Sequence, residues 1–168
     1  KELIPHIDLN YRTVDNRSGR AIQGFSQGGR GATRIAFKYP DLFSSVAAGG
    51  GAYQVEMQIA ENNGVEYDTR RDNPERLDFG VGNDAYSLAK SYANSGDHSL
   101  SIAFWGGTKG FNYNDILEYM EYLDSLGVNY QSYFVGGMGH NSWLLYHSIG
   151  IDLQNFHVSA FENFAEDS

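Results

Sequence analysis

The sequence predicts an α/β fold: a mainly parallel sheet flanked by helices, with an inserted β-hairpin excursion. Short apolar runs ending at about Phe25, Ala48, Trp105 and Val135 alternate with stretches of helical periodicity. Strands separated by helices pair in parallel, because a parallel crossover needs a dozen or more residues. Each run passes at its carboxyl end into glycine or polar residues, which is where ligand sites in such sheets lie. The first run ends in Gly24-Phe25-Ser26-Gln27-Gly28 and continues as small-residue helix, so a serine falls in a sharp strand-to-helix turn.

Along the chain, Leu3, Ile4, Ile7 and Leu9 with polar residues between them predict a short amphipathic helix over Lys1 to Tyr11, with Pro5 tolerated near its first turn and His6 on its surface. Val14 to Gly19 is a polar loop, and Arg20 to Phe25 is the strand before the serine. Gly28 to Lys38 reads as helix, with Ala32, Ile35 and Ala36 as its buried stripe and Pro40 as its stop. Leu42 to Ala48 is the next strand. Gly49-Gly50-Gly51 then opens either a flexible loop or one that brings backbone close to a ligand.

Residues 54–83 are polar and irregular. Within them Val65-Glu66-Tyr67-Asp68-Thr69 and Arg76-Leu77-Asp78-Phe79 flank a segment holding Asn73-Pro74, which predicts a hairpin. Asp84 to Ala93 is a helix and Leu100 to Trp105 a buried strand. Ile116, Met120, Leu123 and Leu126 mark a helix closed by Gly127. Gln131 to Val135 is the last strand, and Trp143 to Phe164 reads as helix with a break near Gly150.

One domain is expected for 168 residues with 41% hydrophobic content. A net charge of −9 argues against a nucleic-acid surface, and no run approaches the ~18 apolar residues of a membrane span. With no cysteine there are neither disulfides nor thiolate metal sites. His6, His98, His140, His147 and His157 lack metal-ligand spacing, so neither metal nor cofactor is expected.

The serine turn carries the chemistry. Residues without a Cβ let strand and helix approach closely around a nucleophile held in a strained corner. Ser26 would project its hydroxyl above the sheet, and the helix behind it aims unpaired N–H groups and a positive dipole end at developing negative charge. The Gln27 N–H is the first oxyanion-hole donor on this reading. Downstream, Val135-Gly136-Gly137-Met138-Gly139-His140 follows another strand and supplies a base in the chain order that a hydrolase built on this turn requires.

With these residues in view the chain resembles the esterase branch of the α/β-hydrolases, which includes feruloyl esterases, acetyl xylan esterases, S-formylglutathione hydrolases and mycolyltransferases, and it looks most like the feruloyl esterases. The resemblance runs through Glu2 to Pro5, Asn10 to Thr13, Arg20 to Ile22, Gly24 to Gly29 and Tyr39 to Phe43, and resumes at Ala85 to Lys90, Gly107 to Lys109 and Gly136 to His140. It implies the C-terminal part of an α/β-hydrolase fold over residues 1–168 as one catalytic domain lacking its N-terminal strands, with 54–83 as an inserted lid or clamp. It also implies a secreted serine esterase that releases feruloyl or acetyl groups from plant cell-wall xylan by way of an acyl-enzyme. Ser26 would be nucleophile and His140 general base.

The family places its third residue in a Gly-Thr-x-Asp pattern, where this sequence reads Gly107-Thr108-Lys109-Gly110. Asp115 is the nearest carboxylate downstream and the expected acid, although an aspartate there also suits a helix start. Glu56, a neutral Asn112 or Asn114, or a dyad without an acid remain open, and a catalytically weak relative that binds carbohydrate is the alternative function. Phe25, Tyr53, Trp105, Phe111 and Trp143 are candidates for an acyl slot, with Trp143 and Tyr53 as the expected substrate-binding residues. The resembled fold has four further strands before the serine turn. Another polypeptide or fragment is therefore expected to pair with Arg20 to Phe25 and to place a backbone N–H near Ser26.

Overall fold

The computed structural model describes residues 2–68, 75–96 and 99–166. Four strands, β1 (Ala21–Phe25), β2 (Ser45–Gly49), β5 (Ser101–Gly107) and β6 (Gln131–Val135), form a parallel sheet in the order β1-β2-β5-β6. Between them run α2 (Gln27–Lys38), α3 (Tyr53–Glu61), α4 (Ala85–Ser95) and α5 (Tyr113–Ser125), with α1 (Leu3–Asn10) before the sheet and α6 (Ser142–Glu166) after it. The period-2 alternation of β2 and β5 divides the core in two. Val46, Ala48, Ile102 and Phe104 face α2, α4 and α5 through Phe37, Leu88, Tyr119 and Leu123. Ala47, Ala103 and Trp105 face Leu145, Leu153 and Phe156 of α6.

Local chemistry sets the ends of these elements. Asp84 caps α4 by accepting from the Ser87 N–H at 2.8 Å, and Gly127 stands at φ 70° just past α5, the left-handed residue such an end calls for. Pro40 closes α2 and starts a single 3-10 turn, Pro40–Leu42, so β2 begins at Ser45 rather than at Leu42.

Two expectations need correction. Residues 54–61 are not irregular, since α3 spans Tyr53–Glu61. Its buried face is Tyr53, Glu56 and Ile59, and a glutamate in that stripe hides the apolar periodicity. Nor does α6 break near Gly150, because the helix runs on to Glu166. Glycine costs a helix interior about 1 kcal/mol, and the burial of Leu145, Leu153, Phe156 and Ala160 along one face outweighs it.

The expected hairpin is present as β3 (Val65–Asp68) paired antiparallel with β4 (Glu75–Asp78), in the register Val65 to Asp78 and Glu66 to Leu77. The turn around Asn73-Pro74 lies outside the described residues. At the other side of the molecule β1 ends the sheet, with no strand beyond it among the described residues. Every residue of β2 is buried, whereas none of β1 is.

Candidate active site

Ser26 sits where β1 turns into α2, at φ 59° and ψ −118°. That backbone costs on the order of 1–3 kcal/mol for a residue with a side chain and persists only where its surroundings hold it. Here the Ser26 N–H donates to the Gly49 carbonyl at 2.8 Å and the Ser26 carbonyl accepts from the Arg30 N–H at 3.2 Å. Strand and helix meet too closely for side chains: a Cβ on Gly24 would run into the Gly28 carbonyl, and one on Gly29 into the Gly49 carbonyl. Gly28, the last glycine of the pattern, has open space instead. Gly29→Ala is therefore expected to destabilise the protein by about 1–3 kcal/mol in denaturant unfolding; an unchanged midpoint would contradict this account of the turn.

The loop after β6 carries His140 back over the serine. Its Nε2 lies 3.1 Å from Ser26 Oγ, and its ring rests against Phe25 at 4.5 Å and Phe111 at 4.6 Å between centroids. Burial disfavours the imidazolium and lowers its pKa below the ordinary histidine value, which keeps the ring neutral and able to accept a proton near neutral pH. Gln27 is the first residue of α2, so its N–H has no carbonyl of its own helix to meet.

Asp115 does not orient the histidine. It lies in the first turn of α5 and makes no hydrogen bond to His140 among the described residues; burial and the neighbouring Glu118 charge raise its pKa. The atom facing His140 Nδ1 is Asn112 Oδ1, at 3.2 Å. Asn112 is 2% exposed, and its amide nitrogen donates to the Gly50 carbonyl. Asn114 is exposed. Glu56 is engaged elsewhere, accepting from Arg30 Nε at 2.7 Å and from the Ala85 N–H at 2.8 Å.

A cleft of about 570 Å³ opens from Ser26 and Gln27 between α3 and the hairpin, lined by Val55, Gln58, Ile59 and Asn62 on one side and Val65 to Tyr67 on the other, and also by Phe111. Tyr53 is not in it. That ring is fully buried, stacked on Tyr119 at 4.1 Å and hydrogen-bonded to Thr33 at 2.7 Å, and Trp105 is likewise core. Trp143, 85% exposed on the first turn of α6, does not line the cleft either. The α3 wall was readable as the spacing Val55, Gln58, Ile59, Asn62, one helix face, in a stretch whose polarity suggested no helix. No group of three or more potential metal ligands occurs among the described residues.

A family model described as "Putative esterase" matches residues 1–115. An esterase of Mycobacterium tuberculosis (strain ATCC 25618 / H37Rv) is 44% identical over 50 residues, covering 30% of this chain and 11% of its own. An S-formylglutathione hydrolase structure from Staphylococcus aureus superposes with a TM-score of 0.71 at 20% identity, over 93% of this chain and 58% of that one. A ferulic acid esterase structure does so at 0.74 and 22% identity, over 96% and 59%. These likenesses show the α/β-hydrolase fold, and the chain spans under two-thirds of the length of either structure.

Proposed function

The chain belongs to the esterase family whose model it matches, and from that premise we propose that it carries the nucleophile and base of a carboxylic ester hydrolase. The observation behind this is the 3.1 Å contact between Ser26 Oγ and a neutral His140 Nε2 at a strained strand-to-helix turn. Ser26 Oγ attacks the ester carbonyl carbon while Nε2 takes its proton, and the carbonyl electron pair moves onto oxygen beside the Gln27 N–H. The oxyanion collapses, the C–O bond to the alcohol breaks, and His140 returns the proton to the leaving oxygen. Water then repeats the sequence on the acyl-enzyme, releasing the acid and restoring Ser26.

For substrate we propose hydroxycinnamoyl esters such as feruloyl groups on plant cell-wall xylan, met outside the cell, in preference to acetyl groups. The cleft falls within the range of about 300–1,000 Å³ typical of sites for drug-sized ligands, more room than an acetyl group requires. Val55, Val65 and Phe111 offer an aromatic acyl group apolar contact, and Gln58 and Asn62 offer amide groups to hydroxyls.

The uncovered side of β1 bears on the same reaction. A groove of about 860 Å³ runs beside it, lined by Leu3, Ile4, Ile7, Val14, Ile22 and Ile35, and an open strand edge next to apolar surface favours pairing with another segment. A further strand-bearing segment of the same fold, in the same or another polypeptide, is proposed to pair with Arg20 to Phe25 and to supply the second oxyanion donor, worth about 10²–10³ in rate.

The neutral Asn112 favours a second reading, a weak or inactive relative that holds carbohydrate in the cleft. Fluorophosphonate labelling followed by peptide mapping separates the two. The ester-hydrolase reading expects adduct on Ser26 and faster turnover of methyl ferulate than of an acetylated xylan oligomer by the intact protein. No adduct would overturn the hydrolase, and the reverse preference would overturn the acyl assignment.

A further inference from the structure

We infer that Asn112, with its amide held by the Gly50 carbonyl, is a neutral positioning residue that fixes which nitrogen of His140 carries the proton. The rate consequences rest on the ester hydrolase proposed above; the proton assignment does not.

A carbonyl oxygen only accepts hydrogen bonds, so the Asn112 side chain must turn its nitrogen toward Gly50 and its oxygen toward His140. That oxygen also only accepts, so His140 Nδ1 must carry hydrogen. A neutral imidazole has one N–H, which leaves the lone pair on Nε2, 3.1 Å from Ser26 Oγ. The serine hydroxyl then donates to it, as proton transfer requires.

The carbonyl that sets this chain of bonds is itself fixed. The Gly50 N–H donates to the Trp105 carbonyl at 2.9 Å, tying the loop to β5. Gly50 stands at φ 56°, and a Cβ on it would come within 2.7 Å of Phe25 and 2.9 Å of His140; only glycine fits this backbone between the two rings. Gly110, at the position where the resembled family carries its acid, is crowded by the same amide. A Cβ there would lie 3.3 Å from Asn112 Oδ1 and 3.1 Å from the Gly107 carbonyl. The amide at 112 is thus no weaker copy of a carboxylate, which would turn an acceptor oxygen toward the Gly50 carbonyl.

Around His140 stand Phe25 from β1, Ser26 at the start of α2, Gly50 from the loop after β2, and Phe111 and Asn112 ahead of α5. None carries charge, and neither Lys109 nor Asp115, which flank that last segment in sequence, shifts the ring, whose lowered pKa comes from burial. General-base catalysis needs the neutral ring, so activity is present above the folded-state pKa and lost as pH falls through it. The acid limb of the wild type should therefore lie below the ordinary histidine value of about 6.5.

Nitrogen-15 NMR of the intact protein with labelled histidine, at about pH 8, tests the assignment without reference to turnover. His140 is expected as the Nδ1–H tautomer, and a ring protonated mainly on Nε2 overturns the inference. Asn112→Leu is expected to release a mixture of tautomers and to lower kcat/KM on methyl ferulate by about 10²- to 10⁴-fold; an unchanged tautomer and rate overturn it. Asn112→Asp is expected to keep the Nδ1–H tautomer and, once its carboxyl ionises against the Gly50 carbonyl, to move the acid limb up by about one to three units; a ring protonated mainly on Nε2 in this variant overturns it. If the leucine variant fails to fold, the wild-type spectrum and the aspartate variant still decide. A locked tautomer in a protein that hydrolyses no ester would remove the proposed function and leave the assignment standing.

Discussion

Replacing Ser26 with alanine is expected to lower ester hydrolysis by the intact protein about 10⁴- to 10⁶-fold, the largest loss any single substitution in this chain should produce. Its Oγ is the atom His140 Nε2 addresses at 3.1 Å, and the oxyanion position proposed beside Gln27 would serve only an atom attacking from that corner. Stability should hardly change, because alanine at φ 59° bears the strain that serine already bears and the turn is held by backbone hydrogen bonds. His140→Ala should cost a comparable factor, and the double variant little more than either alone, since the two groups act as a unit. The measurement is kcat on a small activated ester beside a denaturation curve. Near-normal turnover by a folded Ser26→Ala protein would remove Ser26 from the chemistry.

That pair is legible in the sequence because its signal is local. Glycine, serine and glycine between an apolar run and a small-residue helix describe one turn, and a histidine five residues past a strand end describes another. The four parallel strands are legible for the same reason, each being a short apolar run closed by glycine or a polar loop. What escapes the sequence depends on contacts between distant residues. The role of Asn112 rests on the Gly50 carbonyl, 62 residues away, and no spacing rule separates Asn112 from Asn114 or favours it over Asp115. Tyr53 reads as a pocket aromatic beside a glycine loop, but Thr33 and Tyr119 satisfy its hydroxyl and its ring inside the core. Trp143 is three residues from His140, yet the start of α6 carries it out toward solvent.

The largest loss of stability is expected from Arg30→Met. Arg30 lies on α2, one helical turn beyond Ser26, and is 5% exposed. Its Nε donates to Glu56 at 2.7 Å and its Nη2 to Glu66 of β3 at 2.7 Å. Burial works against the guanidinium charge, but the hydrogen bonds and charges of Glu66 and Glu56 outweigh it and raise the pKa. One buried cation thus joins the helix behind Ser26 to α3 and to the hairpin wall of the cleft. Removing it leaves Glu56, which is fully buried, with the Ala85 N–H at 2.8 Å and Arg34 at 3.7 Å as its remaining partners among the described residues. Breaking a buried pair from one side costs about 3–5 kcal/mol, whereas replacing both partners with groups of similar size is often neutral. Arg30→Met should therefore lower Tm by several degrees or more, at about 2–4 °C per kcal/mol for a domain of this size, and Arg30→Met with Glu56→Gln should recover much of the loss. The single variant should also raise KM more than it lowers kcat, because Glu66 loses its tie to α2 while Ser26 and His140 stay in place. A single variant within about 1 kcal/mol of wild type, or a double variant no better than the single, would show that the buried charges do not hold the cleft together.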